Sequence, residues 1–370
     1  YDPCRDRLCD LDQVIDQLEA ELRAFRADRQ GHVAAGMRLW KRQRLQAFFG
    51  GSRALRFQDD AATADALALR TGRHLLVWAG KEPAGLAPKA RCLRVEDGFL
   101  RSRGLGAELV PPLSLVTDDR GIYYDPSRPS QLEALVAAPL PPGGHERAGR
   151  LIARLRAEGL SKYNLGGPPP RLPKGHRILV PGQVEDDASI LKGAGAVRTN
   201  LALLQAVRAA NPQAVVIYKP HPDVLAGLRA GAIPDERLAG LADVVVGEAD
   251  PVALLAEVEE VWTITSLLGF EALIRGVPVT CLGAPFYAGY GLTRDLGPVP
   301  GWRAPSDLIT LAHAALIAYP RYWDPVSRRP CPPEVAIDRL ATGTVPHPGR
   351  LNRLLSKAQG RFAGLAHLWR

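Results

Sequence analysis

The sequence has few cysteines, few aromatic residues and no long apolar run. Its 370 residues include five cysteines and only 6% Phe, Trp and Tyr. The cysteines are scattered and odd in number, so neither a zinc site nor a disulfide framework is predicted, and the cytosol is the expected compartment. No signal peptide pattern and no apolar segment of about 20 residues is found, so no membrane-spanning helix is predicted. The scarcity of aromatic residues, without any basic-aromatic motif, argues against nucleic acid as a partner.

The remaining composition is that of a globular protein with surplus positive charge. Apolar residues make up 46% of the chain, and 47 Lys and Arg against 39 Asp and Glu give a formal net charge of +8. A chain of this length exceeds one compact core and accommodates two domains. The surplus favours anionic partners, such as phosphorylated small molecules or anionic lipid.

Apolar runs alternate with amphipathic stretches along most of the chain. In the first half, the pattern predicts helices at 13–29, 32–49, 61–69, 131–138 and 146–158, and strands at 75–78, 91–95 and 113–117. In the second half it predicts strands at 178–180, 215–218, 244–246, 261–264 and 277–282, with helices at 200–210, 252–258 and 267–274. This alternation predicts an α/β fold of two doubly wound, Rossmann-like domains, each with a parallel sheet, that face each other across a cleft.

Composition also suggests where the domains begin and end. The predicted parts are an N-terminal helical segment (1–50), a first domain (51–165), a linker rich in Gly and Pro (166–175), a second domain (176–320) and C-terminal helices (321–370). The last 21 residues, 350–370, combine a Leu-rich face with Arg and Lys and contain no acidic residue. Such a basic amphipathic tail is typical either of a helix lying on an anionic membrane surface or of a helix packed on the body of the protein.

The two ends of the chain share a short repeat in constant register. The offset is 322 (331 minus 9), and the pairs are Tyr1 and Trp323, Asp2 and Asp324, Pro3 and Pro325, Cys9 and Cys331, Ile15 and Ile337, Asp16 and Asp338, and Leu18 and Leu340. Several matches without a gap indicate one unit of a tandem array that begins within the end of a preceding unit.

Polar residues follow the predicted strands of the second half, where open α/β sheets bind ligands. Lys219 and His221 follow strand 215–218, which the prolines on both sides of His221 bring to an end. This pair suits a phosphate group, although an ordinary solvated turn has the same pattern. Thr265 and Ser266 precede an apolar helix, where they either cap the helix or help its free amide groups to bind a phosphate.

Two further residues of the second half are candidate ligands of a nucleotide. Glu271 lies about one and a half turns into an apolar helix, where a carboxylate is costly unless it forms hydrogen bonds. A ribose diol would satisfy both of its oxygens. Gln183 is nearest to the end of its strand and is a better candidate than the acidic run 185–187. Consecutive acids point in different directions, so no metal site is predicted.

An acidic pair, Glu96 and Asp97, ends a predicted strand in the first half. A lone acidic pair at a turn is commonly solvated. If Asp97 points across the cleft, however, its carboxylate could act as a base or as a nucleophile at a glycosyl carbon. Arg101, which lies close by in the sequence, would attract an acidic sugar, although solvated arginines are just as common.

Together these motifs resemble those of the KpsC-type capsule polysaccharide transferases, which build a short β-linked Kdo oligomer on a lipid. The matching stretches are 96–102, 104–106, 111–115, residue 119 with 121–125, 161–164, 181–184, 218–223, 265–267 with 269–272, and 285–289. The combination in this order is specific, whereas each piece alone is not.

The resemblance implies a GT-B-like, retaining and metal-independent transferase without a cofactor, whose donor is CMP-β-Kdo. It implies acceptor binding and catalysis in 51–165 and nucleotide binding in 176–320. It implies that Lys219 and His221 bind the CMP phosphate, with Thr265 and Ser266 beside them, and that His221 also eases the departure of CMP. It places Glu271 at the ribose and Gln183 at the nucleotide. It makes Asp97 the nucleophile, with Glu96 as the alternative, and places Arg101 at the Kdo carboxylate.

The resemblance also implies partners and a location. The expected partners are CMP-Kdo, a Kdo oligosaccharide or glycolipid acceptor, the inner-membrane surface and other capsule-assembly proteins, and the expected location is the cytoplasmic face of that membrane. The chain is expected to be the C-terminal module of a tandem protein and to form β-2,7 rather than β-2,4 linkages. The alternatives are a nucleotide-sugar epimerase-like enzyme and a non-catalytic scaffold for capsule assembly.

Overall fold

The computed structural model describes residues 1–104, 110–164, 166–167, 171–247 and 249–346. The strands in these ranges are β1 (His32–Ala35), β2 (Arg56–Gln58), β3 (His74–Trp78), β4 (Cys92–Asp97), β5 (Ser114–Asp118), β6 (Arg177–Pro181), β7 (Val215–Lys219), β8 (Val244–Val245), β9 (Glu260–Thr263), β10 (Val279–Cys281), β11 (Arg294–Asp295), β12 (Pro320–Asp324) and β13 (Arg329–Cys331). The predicted basic tail, 350–370, lies outside the described residues.

Helices of four to eighteen residues connect these strands. They are α1 (Leu11–Asp28), α2 (Leu39–Phe49), α3 (Ala61–Thr71), α4 (Gln131–Ala137), α5 (Gly144–Ala157), α6 (Ala188–Gly193), α7 (Asn200–Ala210), α8 (Pro222–Leu225), α9 (Asp235–Leu238), α10 (Pro251–Leu255), α11 (Leu267–Ile274), α12 (Leu308–Ala312) and α13 (Pro333–Thr342). Within the described ranges, none of them has the length and apolar character needed to cross a membrane.

The chain forms two compact units, each built around its own sheet. The described part of the first unit comprises Tyr1–Ile122, Ser130–Leu132 and 314–346. The described part of the second comprises Tyr123–Pro129 and Glu133–His313. Residues 1–50 therefore belong to the same unit as the strands that follow them. Residues 321–346 also belong to this unit. They were expected to be helical, but they contain most of β12 and all of β13 besides α13.

The sheet of the first unit is mixed, whereas the sequence pattern had predicted a parallel one. Its strand order is β13-β12-β5-β4-β3-β1-β2. Strands β1 to β4 are parallel to one another, but β5, β12 and β13 join the sheet in antiparallel pairs. Hydrophobic periodicity indicates that a strand exists but does not reveal its direction, because both kinds of strand have the same period of two residues.

The prediction of a helix over 32–49 is wrong at its beginning. His32–Ala35 forms β1, which is buried at all four residues and pairs with both β2 and β3. Helix α2 begins only at Leu39. A short strand that is buried on both faces lacks polar alternation, so its periodicity resembles that of a helix segment. Its pairing partners, which lie more than 20 residues further along the chain, determine its conformation.

The sheet of the second unit is parallel throughout, as the sequence predicted. Its order is β11-β10-β9-β6-β7-β8. The middle strands are deeply buried: Ile178, Leu179 and Val180 of β6 have no exposed surface. Each strand predicted for this half is present, and helices α7 and α11 have the predicted bounds. This central position makes β6 and its neighbours a rigid support for the loops that follow them.

The terminal sequence repeat is also a repeat of local structure. Oδ1 of Asp2 accepts the N–H of Cys4 at 2.8 Å, and Oδ1 of Asp324 accepts that of Val326 at 3.2 Å. Four residues after each aspartate the backbone is left-handed, with φ of 53° at Asp6 and 56° at Arg328. Helices α1 and α13 then begin at equivalent positions. The two segments therefore share one turn-and-helix structure.

Candidate active site

Three neighbouring strands of the second unit deliver the predicted nucleotide ligands to one edge of its sheet. Strands β9, β6 and β7 are adjacent and parallel, so their carboxyl ends lie side by side. Gln183 follows β6, His221 follows β7 and Thr265 follows β9. The carboxyl edge of a parallel sheet is where α/β proteins bind ligands, because the preceding strands hold the loops rigidly.

Gln183 fixes the loop between β9 and α11. Its Nε2 donates to Oγ1 of Thr265 at 2.9 Å, and its Oε1 accepts the N–H of Thr265 at 3.0 Å and the hydroxyl of Thr263 at 3.2 Å. Its own N–H donates to Oδ1 of Asn200 at 2.8 Å. The side chain is 6% exposed, so the structure gives Gln183 a supporting role for Thr265. Direct contact between Gln183 and a nucleotide stays a prediction.

Ser266 caps helix α11 and is itself held in place. Its Oγ accepts the N–H of Leu268 at 3.2 Å, and its N–H donates to Oγ1 of Thr263 at 3.1 Å. The carbonyl of Ser266 accepts the hydroxyl of Tyr287 at 2.5 Å. A Cβ atom on Gly269 would lie 2.1 Å from that hydroxyl oxygen, so the approach of Tyr287 requires glycine at this position. The first turn of α11 is therefore preorganised.

Lys219 and His221 lie at the end of β7, where Lys219 is buried and His221 is half-buried. Nζ of Lys219 donates to the carbonyl of Gly247 at 3.1 Å, and burial lowers the pKa of its ammonium, an effect that Asp250 opposes. Nδ1 of His221 accepts the N–H of Asp223 at 3.1 Å, so the proton of a neutral imidazole sits on Nε2. Burial also lowers the pKa of His221, while Asp223 raises it. His221 thus presents Nε2–H as a donor.

Glu271 lies half-buried on α11 and contacts a residue that sequence reasoning did not assign to the site. Its Oε1 accepts the N–H of Lys162 at 2.8 Å. Burial raises the pKa of the Glu271 carboxyl, whereas that hydrogen bond and the charge of Arg275 lower it. The Lys162 ammonium also lowers the pKa of His221. Lys162 therefore acts electrostatically on two of the predicted ligands.

A tight turn orients the amide of Lys162. Asn164 adopts a left-handed φ of 48°, its Oδ1 accepts the N–H of Ser161 at 2.8 Å, and its N–H donates to Oγ of Ser161 at 3.1 Å. The sequence contained a signal for this turn, because residues 161–164 are among the stretches that carry the family resemblance. Only the tertiary structure shows which residue receives the amide hydrogen bond.

In the first unit, the acidic pair ends β4 as predicted, and its second carboxylate is ion-paired. Oδ2 of Asp97 accepts Nε–H of Arg101 at 2.7 Å, and Oε1 of Glu96 accepts the N–H of Asp97 at 3.0 Å. Arg101 is 1% exposed and also donates to Oγ of Ser102 at 2.9 Å. The structure therefore shows Arg101 as the partner that orients Asp97. Contact between Arg101 and a sugar carboxylate stays a prediction.

Sequence reasoning also missed Lys41, which lies on α2. Its Nζ is 2.9 Å from the centroid of the Trp78 ring, a cation–π contact at the end of β3. Burial lowers the pKa of its ammonium to about 8, while the charges of Asp97 and Glu96 raise it. The sequence offered no signal for this contact, because Lys41 stands among other basic residues on α2.

The acidic run after β6 is engaged in structural contacts. Oε1 of Glu185 accepts the N–H of Asn200 at 2.8 Å, Asp186 pairs with Arg229 at 3.0 Å, and Asp187 caps α6. In the described ranges, no three His, Cys, Asp or Glu side chains are grouped as they would be around a metal ion.

Comparison with known proteins identifies the family. Residues 81–164 and 169–322 match the family described as capsule polysaccharide biosynthesis protein. The chain belongs to this family. It is 42% identical over 338 residues to the capsule polysaccharide modification protein LipA of Neisseria meningitidis serogroup B. The aligned region covers 89% of this chain and 48% of LipA. It is 51% identical over 240 residues to the lipopolysaccharide-processing protein LpsZ of Rhizobium meliloti, covering 62% of this chain and 54% of LpsZ. The chain thus spans about half the length of these curated relatives.

Two solved structures of KpsC transferases share the fold. A structure of the beta Kdo 2,7 transferase of Thermosulfurimonas dismutans KpsC is 36% identical, with a TM-score of 0.72, and covers 85% of this chain and 99% of that one. A structure of the beta Kdo 2,4 transferase of the same KpsC is 32% identical with a TM-score of 0.72, covering 84% and 97%. These matches confirm the predicted α/β fold class with Rossmann-like units and the KpsC-type resemblance.

Proposed function

We propose that the chain is a retaining β-Kdo glycosyltransferase, which moves Kdo from CMP-β-Kdo onto a Kdo-terminated, lysophospholipid-linked acceptor and so forms the β-Kdo linker of capsular polysaccharide. The observation that carries this proposal is the likeness to two KpsC Kdo transferases, at 36% and 32% identity over about 85% of the chain. The polar side chains at the strand ends of each unit also support it.

The second unit is proposed to bind the CMP part of the donor. Lys219 and the Nε2–H of His221 supply positive charge and a hydrogen-bond donor for the phosphate, at the end of the same strand. Ser266 and the first turn of α11 add amide groups where a helix attracts an anion. The second oxygen of Glu271, Oε2, makes no hydrogen bond with the described residues, which suits a ribose hydroxyl.

The first unit is proposed to supply the nucleophile. The Asp97 carboxylate forms a bond to the anomeric carbon of Kdo as the bond from that carbon to the CMP phosphate breaks, and CMP leaves with both electrons. The acceptor hydroxyl then displaces the carboxylate and loses its proton to a base. Two inversions give net retention. Arg101, which holds Asp97 at 2.7 Å, orients the attacking oxygen, and Glu96 is the alternative nucleophile. No metal ion or cofactor takes part in the proposed steps.

Transfer from CMP-Kdo to short synthetic acceptors with Kdo at the terminus tests the proposal. We expect a Kdo-extended product with the β configuration, detected by NMR. Asp97→Asn should lower the turnover rate by about 10³-fold or more, because the amide cannot form the covalent intermediate. Binding of CMP to the second unit should persist in this variant, which separates loss of chemistry from loss of folding.

Four results would contradict the proposal or parts of it. Full turnover by Asp97→Asn would remove Asp97 from the mechanism, and the same experiment on Glu96→Gln would then decide the alternative. A product of inverted configuration would exclude double displacement. Conversion of CMP-Kdo without any acceptor would favour the epimerase-like alternative, and failure to bind CMP would favour the scaffold.

The linkage and the location are parts of the same proposal. We propose β-2,7 rather than β-2,4 transfer, which the higher identity to the 2,7 transferase supports, at 36% against 32%. Acceptors ending in each linkage distinguish the two. We also propose that the chain is the C-terminal module of a longer protein that works at the cytoplasmic face of the inner membrane with other capsule-assembly proteins. The net charge of +8 supports attraction to an anionic surface.

A further inference from the structure

We propose that Lys41 is a positioning residue of the transferase reaction, whose ammonium compensates the paired carboxylates of Glu96 and Asp97 so that the anionic donor can approach them. The inference rests on the proposed function, in which Asp97 is the nucleophile. It goes beyond that function because it assigns a residue of α2 to the site.

The fold places Lys41 beside the end of β4. Trp78 is the last residue of β3 and pairs in register with Val95, which immediately precedes Glu96 in β4. The ammonium of Lys41 lies 2.9 Å from the centre of the Trp78 ring and 5.4 Å from that of Trp40. Helix α2 therefore carries a positive charge to the edge at which the two carboxylates emerge.

The charges that face Lys41 come from three elements. Asp97 and Glu96, at the end of β4, favour its charged form, whereas Arg101, in the loop after β4, and Arg38, next to the first residue of α2, disfavour it. Burial is the largest influence and lowers the pKa of Lys41 to about 8. Arg101 stays protonated at any ordinary pH. Lys41 is thus the cation of this group that can lose its proton near neutral pH.

The chemistry of the donor explains why this charge matters. CMP-Kdo carries a phosphate and a sugar carboxylate, both anionic. Glu96 and Asp97 together carry two negative charges when ionised, and Arg101 supplies one positive charge through its ion pair with Asp97. The carboxylates repel an anionic donor, because like charges at close range are costly. A protonated Lys41 weakens that repulsion while leaving Asp97 ionised for attack.

The pH dependence of kcat/KM tests the role, with three lysine variants beside the wild type. We expect wild-type kcat/KM to fall as the pH rises through about 8, where Lys41 loses its proton. Lys41→Arg should retain activity and lose that fall, because guanidinium stays charged. In Lys41→Met, kcat/KM below pH 8 should be about 10-fold or more lower than in the wild type, chiefly through a higher KM for CMP-Kdo. Lys89→Met, on an exposed loop, should behave as the wild type.

A second measurement does not depend on activity. The pH dependence of Lys41 acylation by a small amine reagent, followed by mass spectrometry, reports the pKa of Lys41 in the protein without substrate. We expect Glu96→Gln and Asp97→Asn to lower that pKa, because each removes a charge that favours the ammonium. This readout distinguishes failure of the Lys41 proposal from failure of the proposed function.

The outcomes are decisive in both directions. A fall near pH 8 that persists in Lys41→Arg, or a Lys41→Met variant with unchanged KM, overturns the proposal. An unaltered Lys41 pKa in both carboxylate variants overturns it as well. If the wild type transfers no Kdo while the acylation results match expectation, the proposed function fails and the electrostatic coupling stands.

Discussion

Asp97 and Glu271 are both proposed to meet the donor, and their surroundings differ in a way that matches their roles. Asp97 accepts a hydrogen bond from the buried guanidinium of Arg101. Glu271 accepts one amide hydrogen bond from Lys162, and burial raises its pKa. The charge-assisted pair with Arg101 keeps Asp97 anionic for attack. The hydrogen bond from the Lys162 amide only has to orient Glu271, which is proposed to accept hydrogen bonds.

Replacing Glu271 with Gln is expected to stabilise the protein and weaken its binding of CMP. The raised pKa means that the folded state resists ionisation, so Glu271 costs folding free energy increasingly as the pH rises above the ordinary value of 4.5, and in full above its folded pKa. Gln keeps an oxygen for the Lys162 amide but carries no charge. The thermal midpoint of Glu271→Gln should therefore exceed that of the wild type at pH 7.5. The difference should shrink towards pH 4.5, the ordinary value for Glu.

The affinity for CMP, measured by calorimetric titration, should fall about 10-fold when Glu271 no longer bears a charge, since hydrogen bonds to charged groups contribute about 1.5–3 kcal/mol. Glu236→Gln, on the exposed surface of α9, serves as the control and should change neither quantity. A stability difference that is independent of pH would show that the ionisation of Glu271 does not cost folding free energy.

At the scale of elements, the repeated turn and helix show that one local sequence can be buried in two different ways. Ile337 and Leu340 of α13 have no exposed surface, whereas their equivalents on α1, Ile15 and Leu18, are 52% and 51% exposed. The turns have the same backbone conformation. Local sequence therefore sets the shape of the element, and the surrounding unit decides which face is covered.

This pair of helices provides an internal control for a stability measurement. Ile337→Ala should lower the free energy of unfolding by about 2–5 kcal/mol, because it leaves a cavity in a closely packed core. Ile15→Ala, the equivalent change at the repeated position, should alter it by about 0.5 kcal/mol or less, since much of that side chain is already in water. Urea unfolding of both variants measures the difference. Equal losses would mean that the exposed face of α1 is covered in solution.

At the scale of the whole molecule, the proposal requires that nucleotide binding stabilise the fold. CMP that binds only the folded chain raises its stability by about 2.7 kcal/mol at a concentration 100 times the dissociation constant. We expect thermal unfolding to shift upward with CMP and much less with cytidine, which lacks the phosphate. In Lys219→Met, the shift in thermal unfolding caused by CMP should be nearly the same as that caused by cytidine. Equal shifts for CMP and cytidine in the wild type would exclude the proposed phosphate contacts.

The second unit shows how far the sequence alone reaches. Its parallel strands were predicted because buried strands are continuous apolar runs that end at Pro, Gly or polar residues. The candidate ligands Gln183, His221 and Thr265 follow from the same pattern, since a residue directly after such a strand must lie at the carboxyl edge. What the sequence could not reveal there is that Gln183 supports Thr265, because the two are 82 positions apart.

The amino-acid sequence by itself determined the α/β class, the strands and helices of the second unit and the polar residues at its strand ends, because apolar spacing and turn residues act locally. Only the tertiary structure decided that His32–Ala35 is a strand, that β5, β12 and β13 join the first sheet in antiparallel pairs, and that residues 1–50 and 314–346 belong to the first unit. It also brought Lys41 towards Asp97 and Lys162 to Glu271. These contacts join residues far apart in the chain, and the pairing and burial that create them exist only after the chain has folded.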